Sequence, residues 1–207
     1  MQGNAASRRI VVFDLGGVLL QWDPRHLYRK LFPGDETAME SFLGEVCTVE
    51  WNERQDAGRT FAEAVAELMP QHEDKRHLIE AFGSRFGEMI PGALDGTVEI
   101  LHELKARGVP LYALTNWSSE TFPPQRSRFP FIELFDGIVV SGDEGVIKPD
   151  ARIFEILLDR FRIPAREAVF IDDNPNNAIA ASQLGIHGIH FQSPEQLRRE
   201  LSALQLL

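Results

Sequence analysis

The chain carries one cysteine, Cys47, among 207 residues. This excludes an intramolecular disulfide and a thiolate metal cluster, and it suits a reducing compartment. Long apolar runs are missing too. The longest, such as residues 10–13, have the length of a strand, against the ~18 residues a membrane span needs. Met1 to Arg9 contain no apolar stretch like the core of a secretion signal, so a soluble, cytoplasmic chain is expected. Positive charge is in deficit: 21 Lys and Arg against 31 Asp and Glu leave a net charge of −10. Such a surface repels phosphate backbones and anionic lipid, so neither nucleic acid nor a membrane is expected as a partner. A small anion bound in one locally positive pocket remains compatible with it. The six histidines include no pair at metal-ligand spacing.

What is present is ordinary globular composition, 43% apolar and 25% charged. At ~150 residues per domain the length gives one domain with about seventy residues to spare, the size of an insertion. The second half alternates short apolar runs with helix-period segments. Residues 110–114, 137–140, 168–171 and 188–191 read as buried parallel strands. Helices are expected over 94–107, 153–161, 177–184 and 195–206, the first and third ending before Gly108 and Gly185. Strands alternating with helices predict a doubly wound, Rossmann-like α/β sheet.

The first strand, residues 9–14, breaks the alternation. About ninety-five residues follow before the next one, where a plain βαβ unit takes ~30. Between them the pattern is helical, over 26–32, 36–46, 61–69 and 75–86, with Thr60 and Glu63 spaced as a capping box. The chain therefore divides into a Rossmann-like core, residues 1–20 and 90–207, and a helical insertion, residues 21–89.

Polar residues concentrate where strands end. Asp14 and Gly16-Gly17 follow the first strand, Thr115-Asn116 the second, and Ser141 and Lys148 the third. Asp172-Asp173, with Asn177 beyond, follow the fourth. Each alone can be a turn former or a solvated side chain. Together they belong on the carboxyl edge of one parallel sheet, where ligand crevices form. Three carboxylates gathered there raise one another's pKa unless a cation offsets them, and oxygen-only ligands suit Mg²⁺.

The string FDLGGVLL, the TN of LYALTNW, the lysine of GVIKPD and the DD of VFIDDNPNN resemble the four motifs of the haloacid dehalogenase superfamily. They match in order and spacing over nearly the whole chain, with a helical cap between the first two. DLGG with DDNPNN is similar to its glucose-1-phosphatase-like phosphatases. The resemblance implies that Asp14 is a nucleophile forming an aspartyl-phosphate. It implies that Thr115 and Asn116 bind the phosphoryl group and that Lys148 offsets its charge. Mg²⁺ would be held by Asp14, the Gly16 carbonyl and Asp173, with Asp172 and Asn177 behind them. The substrate would be a small phosphorylated metabolite such as a sugar phosphate, with no obligate protein partner.

Gly16 departs from the pattern, since most phosphatases of the superfamily carry an aspartate there. Glycine keeps the metal-binding carbonyl and loses a general acid, a loss worth ~10²–10⁴-fold and smallest for good leaving groups. Activity should then depend steeply on leaving-group pKa. Dehalogenases of the superfamily also lack this aspartate, because halide leaves without a proton. A metal-independent 2-haloacid dehalogenase is therefore the alternative, although the Asp172-Asp173 pair argues for a metal. A weakly catalytic binding or regulatory domain is a third reading. Substrate choice falls to the insertion: Trp22, and a polar-aromatic group of Glu50, Trp51, Asn52, Arg54 and Asp56, with Trp117 from the core. Cys47 is expected in the apolar interior.

Overall fold

The computed structural model describes residues 9–207. The segment 1–8, which belongs to the stretch read above for a targeting signal and to the first core segment, lies outside the described residues. Alternating side chains on short apolar strands need cover on both faces, and the fold supplies it. Strands β1 (Ile10–Phe13), β2 (Leu111–Thr115), β3 (Gly137–Val140), β4 (Ala168–Asp172) and β5 (His187–His190) form one parallel sheet, ordered β3-β2-β1-β4-β5. Val11, Phe13, Leu111, Ala113, Val169 and Ile171 join one hydrophobic cluster. Val12, Leu114, Val139, Ala168 and Phe170 join a second. The period of two along each strand has divided the core into two layers.

Five helices lie between β1 and β2's own crossover helix: α1 (Arg25–Leu31), α2 (Glu36–Glu45), α3 (Val49–Asp56), α4 (Phe61–His72) and α5 (Arg76–Ser84). The crossover helix is α6 (Asp95–Ala106). Beyond β2 come α7 (Phe122–Arg128), α8 (Ser141–Glu144), α9 (Ala151–Phe161), α10 (Pro175–Gln183) and α11 (Pro194–Ala203). Ile100, Leu104, Leu197 and Leu201 of α6 and α11 cover the first face of the sheet. Ile153, Leu157 and Ala181 of α9 and α10 cover the second. This is the doubly wound α/β architecture. Among the described residues, no helix is long and apolar enough to cross a membrane.

Local chemistry explains the helix starts. Thr60 and Glu63 make the expected capping box at α4. Asn174 caps α10 ahead of Pro175, and Ser193 caps α11 ahead of Pro194. Helix α3 departs from the sequence reading, which placed only a polar-aromatic group there. Its sequence, VEWNERQD, offers Trp51 as the one large core residue, too little for an apolar period. The helix rests on the Thr48 side chain, which accepts from the Trp51 N–H. Trp51 is buried among Phe61 and Phe82. The first hydrophobic cluster runs unbroken from the sheet through Met39, Phe42 and Trp51, so α1–α5 share the core of the sheet's first face.

Candidate active site

The chain runs from β1 to β2 and β3 on one side, then returns to β4 and β5 on the other. The reversal lies between β1 and β4, and parallel sheets bind ligands beyond the strand ends at such a point. Asp14 directly follows β1, Thr115 ends β2, and Asp172 ends β4 with Asp173 next to it. A cavity of about 240 Å³ opens there, lined by Asp14, Gly16, Thr115, Asn116, Asp173 and Asn177 from the sheet side. A larger open groove beside Lys30 and Arg128 holds none of these groups.

Lys148 organises the centre. Its side chain is 1% exposed, and its Nζ donates to Asp14 Oδ2 at 2.9 Å and Asp172 Oδ2 at 2.7 Å. Burial works to lower the lysine pKa, but Asp14 and Asp172 outweigh it and raise it. The Asn116 amide is committed to placing this residue: its Oδ1 accepts from the Lys148 N–H at 2.8 Å and its Nδ2 donates to the Lys148 carbonyl at 3.1 Å. Asp172 is fully buried and also accepts from the Asn174 N–H and the Asn177 amide. Asp173 faces outward into the cavity. The two neighbours are inequivalent, as alternation along an extended chain dictates.

Asp14 also accepts from the Leu15 N–H at 2.7 Å. Its pKa is pushed up to about 7, first by burial, against the pull of Lys148 and with a further push from Asp172. Burial and then Asp172 also raise Asp173. Oxygens of Asp14, Asp172 and Asp173 lie within 4.8 Å of one another, a set able to hold a metal ion. Three carboxylates against the single Lys148 ammonium leave two negative charges, which a divalent cation would cancel. The donors are all oxygen, so the residues present fit Mg²⁺.

The glycine pair divides its work. Gly17 has φ +70° and its Cα stands so near Asp173 that a Cβ would sit 2.1 Å from Oδ2. Gly16 has no such constraint; its Cβ would meet only the Trp22 Cβ, at 3.8 Å. The backbone thus requires glycine at 17 and merely has it at 16.

The residues singled out in the insertion separate. Trp22, Asn52 and the core's Trp117 line the cavity, Trp117 donating its indole N–H to Thr121 Oγ1. Trp51 and Arg54 do not. Trp51 fills the interior of the helices and donates to the Ala64 carbonyl, and Arg54 pairs on the surface with Glu67. Cys47 is buried, and its thiol is pushed up to about 12 by burial, which leaves it unreactive. One member of the polar-aromatic group was given only substrate choice from sequence. Asp56, at the end of α3, lines the cavity together with Asn52 and Glu53. Burial and then Glu53 push its pKa up to about 7.

Comparison with known proteins agrees with this geometry. The family model for a haloacid dehalogenase-like hydrolase matches residues 8–185. A sesquiterpene phosphatase of Aspergillus oryzae is 29% identical over 189 residues, spanning 88% of this chain and 89% of that protein. Mouse acyl-CoA dehydrogenase family member 10 is 31% identical over 218 residues; the match takes in 96% of this chain but only 19% of that longer protein. An (S)-2-haloacid dehalogenase of Pseudomonas putida is 29% identical over 89 residues, 43% of this chain and 39% of the enzyme. Among solved structures, an enzyme of the same family from Bacteroides thetaiotaomicron superposes with a TM-score of 0.72 at 21% identity, over 93% of this chain and 98% of its own. That enzyme has also been solved in complex with magnesium and inorganic phosphate. The four motifs on one sheet edge and a family match over most of the chain have one meaning: this protein belongs to the haloacid dehalogenase-like hydrolases.

Proposed function

We propose that this hydrolase is a Mg²⁺-dependent phosphatase of small phosphorylated metabolites, sugar phosphates among them, acting through a phosphoryl group carried on Asp14. The observation that supports it best is the charge at the sheet edge. A dehalogenase has no use for the Asp172-Asp173 pair, whereas a phosphatase needs acidic residues there for a metal. Mg²⁺ would be held by the Asp14 carboxylate, the Gly16 carbonyl and Asp173, and would neutralise those carboxylates and the phosphoryl oxygens.

The residues of the chain would divide the remaining work. Lys148 opposes the effect of burial on Asp14, favouring its ionised form, and holds Oδ2 by a direct hydrogen bond. The attacking Asp14 oxygen forms a bond to phosphorus as the ester oxygen leaves, and water later cleaves the acyl phosphate. Thr115 offers its hydroxyl to the transferring group. Asn116 offers its main-chain N–H, since its amide is engaged by Lys148. Asp172 and Asn177 hold Lys148 in place. Residues 21–89 act as a cap over the core formed by 1–20 and 90–207, and Trp22, Asn52 and Trp117 meet the substrate.

Two of the most similar proteins support a phosphate substrate: the A. oryzae relative is named a sesquiterpene phosphatase, and the B. thetaiotaomicron enzyme holds magnesium with phosphate. The missing side chain at Gly16 and the likeness to a haloacid dehalogenase favour the second reading, halide release. One assay separates them: sugar phosphates, aryl phosphates and 2-haloacids, each with Mg²⁺ and with EDTA. Phosphate release that EDTA abolishes, Mg²⁺ restores and Asp14→Asn eliminates is the expected result. Halide release indifferent to EDTA would overturn the proposal.

A further inference from the structure

We infer that Asp56 is the general acid and base of this hydrolase, supplying from helix α3 the carboxyl group that position 16 lacks. The inference rests on Asp14 being the phosphoryl acceptor.

Three observations carry it. First, Asp56 lines the same cavity as Asp14 and Asp173. Second, its placement is built. The Asp56 carbonyl accepts from Ser141 Oγ at 2.5 Å, and Ser141 itself accepts from the Trp117 N–H at 2.9 Å. The end of α3 is therefore tied to the carboxyl end of β3. Gly58, with φ +98°, lets the chain leave the helix close against the Gly142 carbonyl. On the side chain, Oδ2 accepts from Asn52 Nδ2 at 3.0 Å. Asn52 Oδ1 is buried with no hydrogen-bond partner among the described residues. Third, the charge environment favours a carboxyl that holds its proton near neutrality. Burial and Glu53 on the same helix raise its pKa to about 7, while the Ser118 N–H and Lys148 pull the other way. A pKa near the working pH is what an acid that must also act as a base requires.

In the first half-reaction the Asp14 oxygen bonds to phosphorus and the P–O bond to the leaving group breaks. The bonding pair stays on the ester oxygen, which takes the Asp56 proton and departs as an alcohol. In the second, the Asp56 carboxylate takes a proton from the attacking water. Its oxygen bonds to phosphorus, the bond to Asp14 breaks with its electrons returning to the carboxylate, and inorganic phosphate leaves. Asp56 ends protonated, ready for the next turnover.

The test compares wild type, Asp56→Asn and Asp56→Asn/Gly16→Asp with Mg²⁺, across 4-nitrophenyl phosphate, phenyl phosphate and an alkyl phosphate. Folding is checked by circular dichroism and metal affinity by titration with Mg²⁺ alone. Asp56→Asn should lose ~10²–10⁴-fold on the alkyl ester and much less on 4-nitrophenyl phosphate, whose leaving group needs little protonation. The high-pH limb of the kcat/KM profile should vanish with it. The second substitution should restore at least ~10-fold of the alkyl activity, because position 16 has room for the side chain. If Asp56→Asn fails to fold, Asp56→Ser gives the same readings. A folded variant with an unchanged leaving-group slope and an intact high-pH limb overturns the assignment of Asp56 alone. Turnover that survives Asp14→Asn would instead overturn the reading of Asp14.

Discussion

Replacing Lys148 by methionine is the most demanding probe of the centre. The side chain it removes is 1% exposed and bridges two carboxylates whose own exposures are 12% and 0%. Methionine preserves the volume and deletes the charge, so the effect is electrostatic. Removing one partner from a buried ion pair costs ~3–5 kcal/mol, because a charge is left uncompensated in a poorly polarisable site. At this chain length ~1 kcal/mol moves Tm by ~2–4 °C, so a fall of roughly 6–20 °C is expected near pH 7.5 in EDTA. Asp14, already at about 7 through burial, rises further without its lysine and becomes protonated. The cost should accordingly shrink at pH 5, where the stranded carboxylates take up protons. Asp172→Asn keeps the hydrogen bond from Asn174 and removes one of the two stranded charges. The double variant should thus lie ~0.5–3 kcal/mol above the sum of the singles in a urea-denaturation cycle. Strict additivity, with a penalty equal at pH 5 and pH 7.5, would refute this account of the centre.

Five more substitutions test three separate parts of the structure. Gly17→Ala should cost ~1 kcal/mol or more and weaken Mg²⁺ binding, since its Cβ meets Asp173 at a positive φ; Gly16→Ala should do neither, as calorimetry and thermal melts would show. Asp56→Asn should be neutral for stability below about pH 4 and stabilising by pH 8. The wild-type fold favours the protonated acid, whose pKa rises from 3.8 to about 7, and loses up to about 4 kcal/mol as pH climbs through that window. Melting both proteins from pH 4 to 8 checks it, and parallel curves would contradict it. Trp51→Ala should cost ~3–5 kcal/mol by emptying the interior of α3–α5, while Trp22→Ala, at the cavity rim, should leave Tm within ~2 °C and raise KM instead.

The sheet and its polar edge were legible because local chemistry and tertiary position coincide there. Strands β1 to β4 are four- or five-residue, largely apolar runs, and Asp14, Thr115 and Asp172 stand at or next to the end of one. Direction and parallel pairing then bring them together whatever the helices do. The alternation along the chain even separated Asp172, buried on Lys148, from Asp173, open to the cavity. The commitment of the Asn116 amide to Lys148 had no such local sign, since its partner lies 32 residues away.

The insertion was harder because its chemistry depends on a helix that composition conceals. Taken as a loop, residues 50–56 form one polar-aromatic group, and proximity in sequence makes all its members neighbours of the substrate. Taken as a helix they separate by angle. Val49, Asn52, Glu53 and Asp56 recur at i, i+3, i+4 and i+7, one stripe, and all four line the cavity. Trp51 and Gln55, also four apart, turn into the interior, and Arg54 turns to solvent. The available signal was Thr48, an N-cap residue followed by an acidic first turn at Glu50. Recognising that cap would have placed Asn52 and Asp56 on one face and excluded Trp51 from it. It would not have told which way the face points. That is decided by Ser141, 85 residues further on, which fastens the end of α3 to the sheet and so brings a buried carboxyl to the cavity that Asp14 lines.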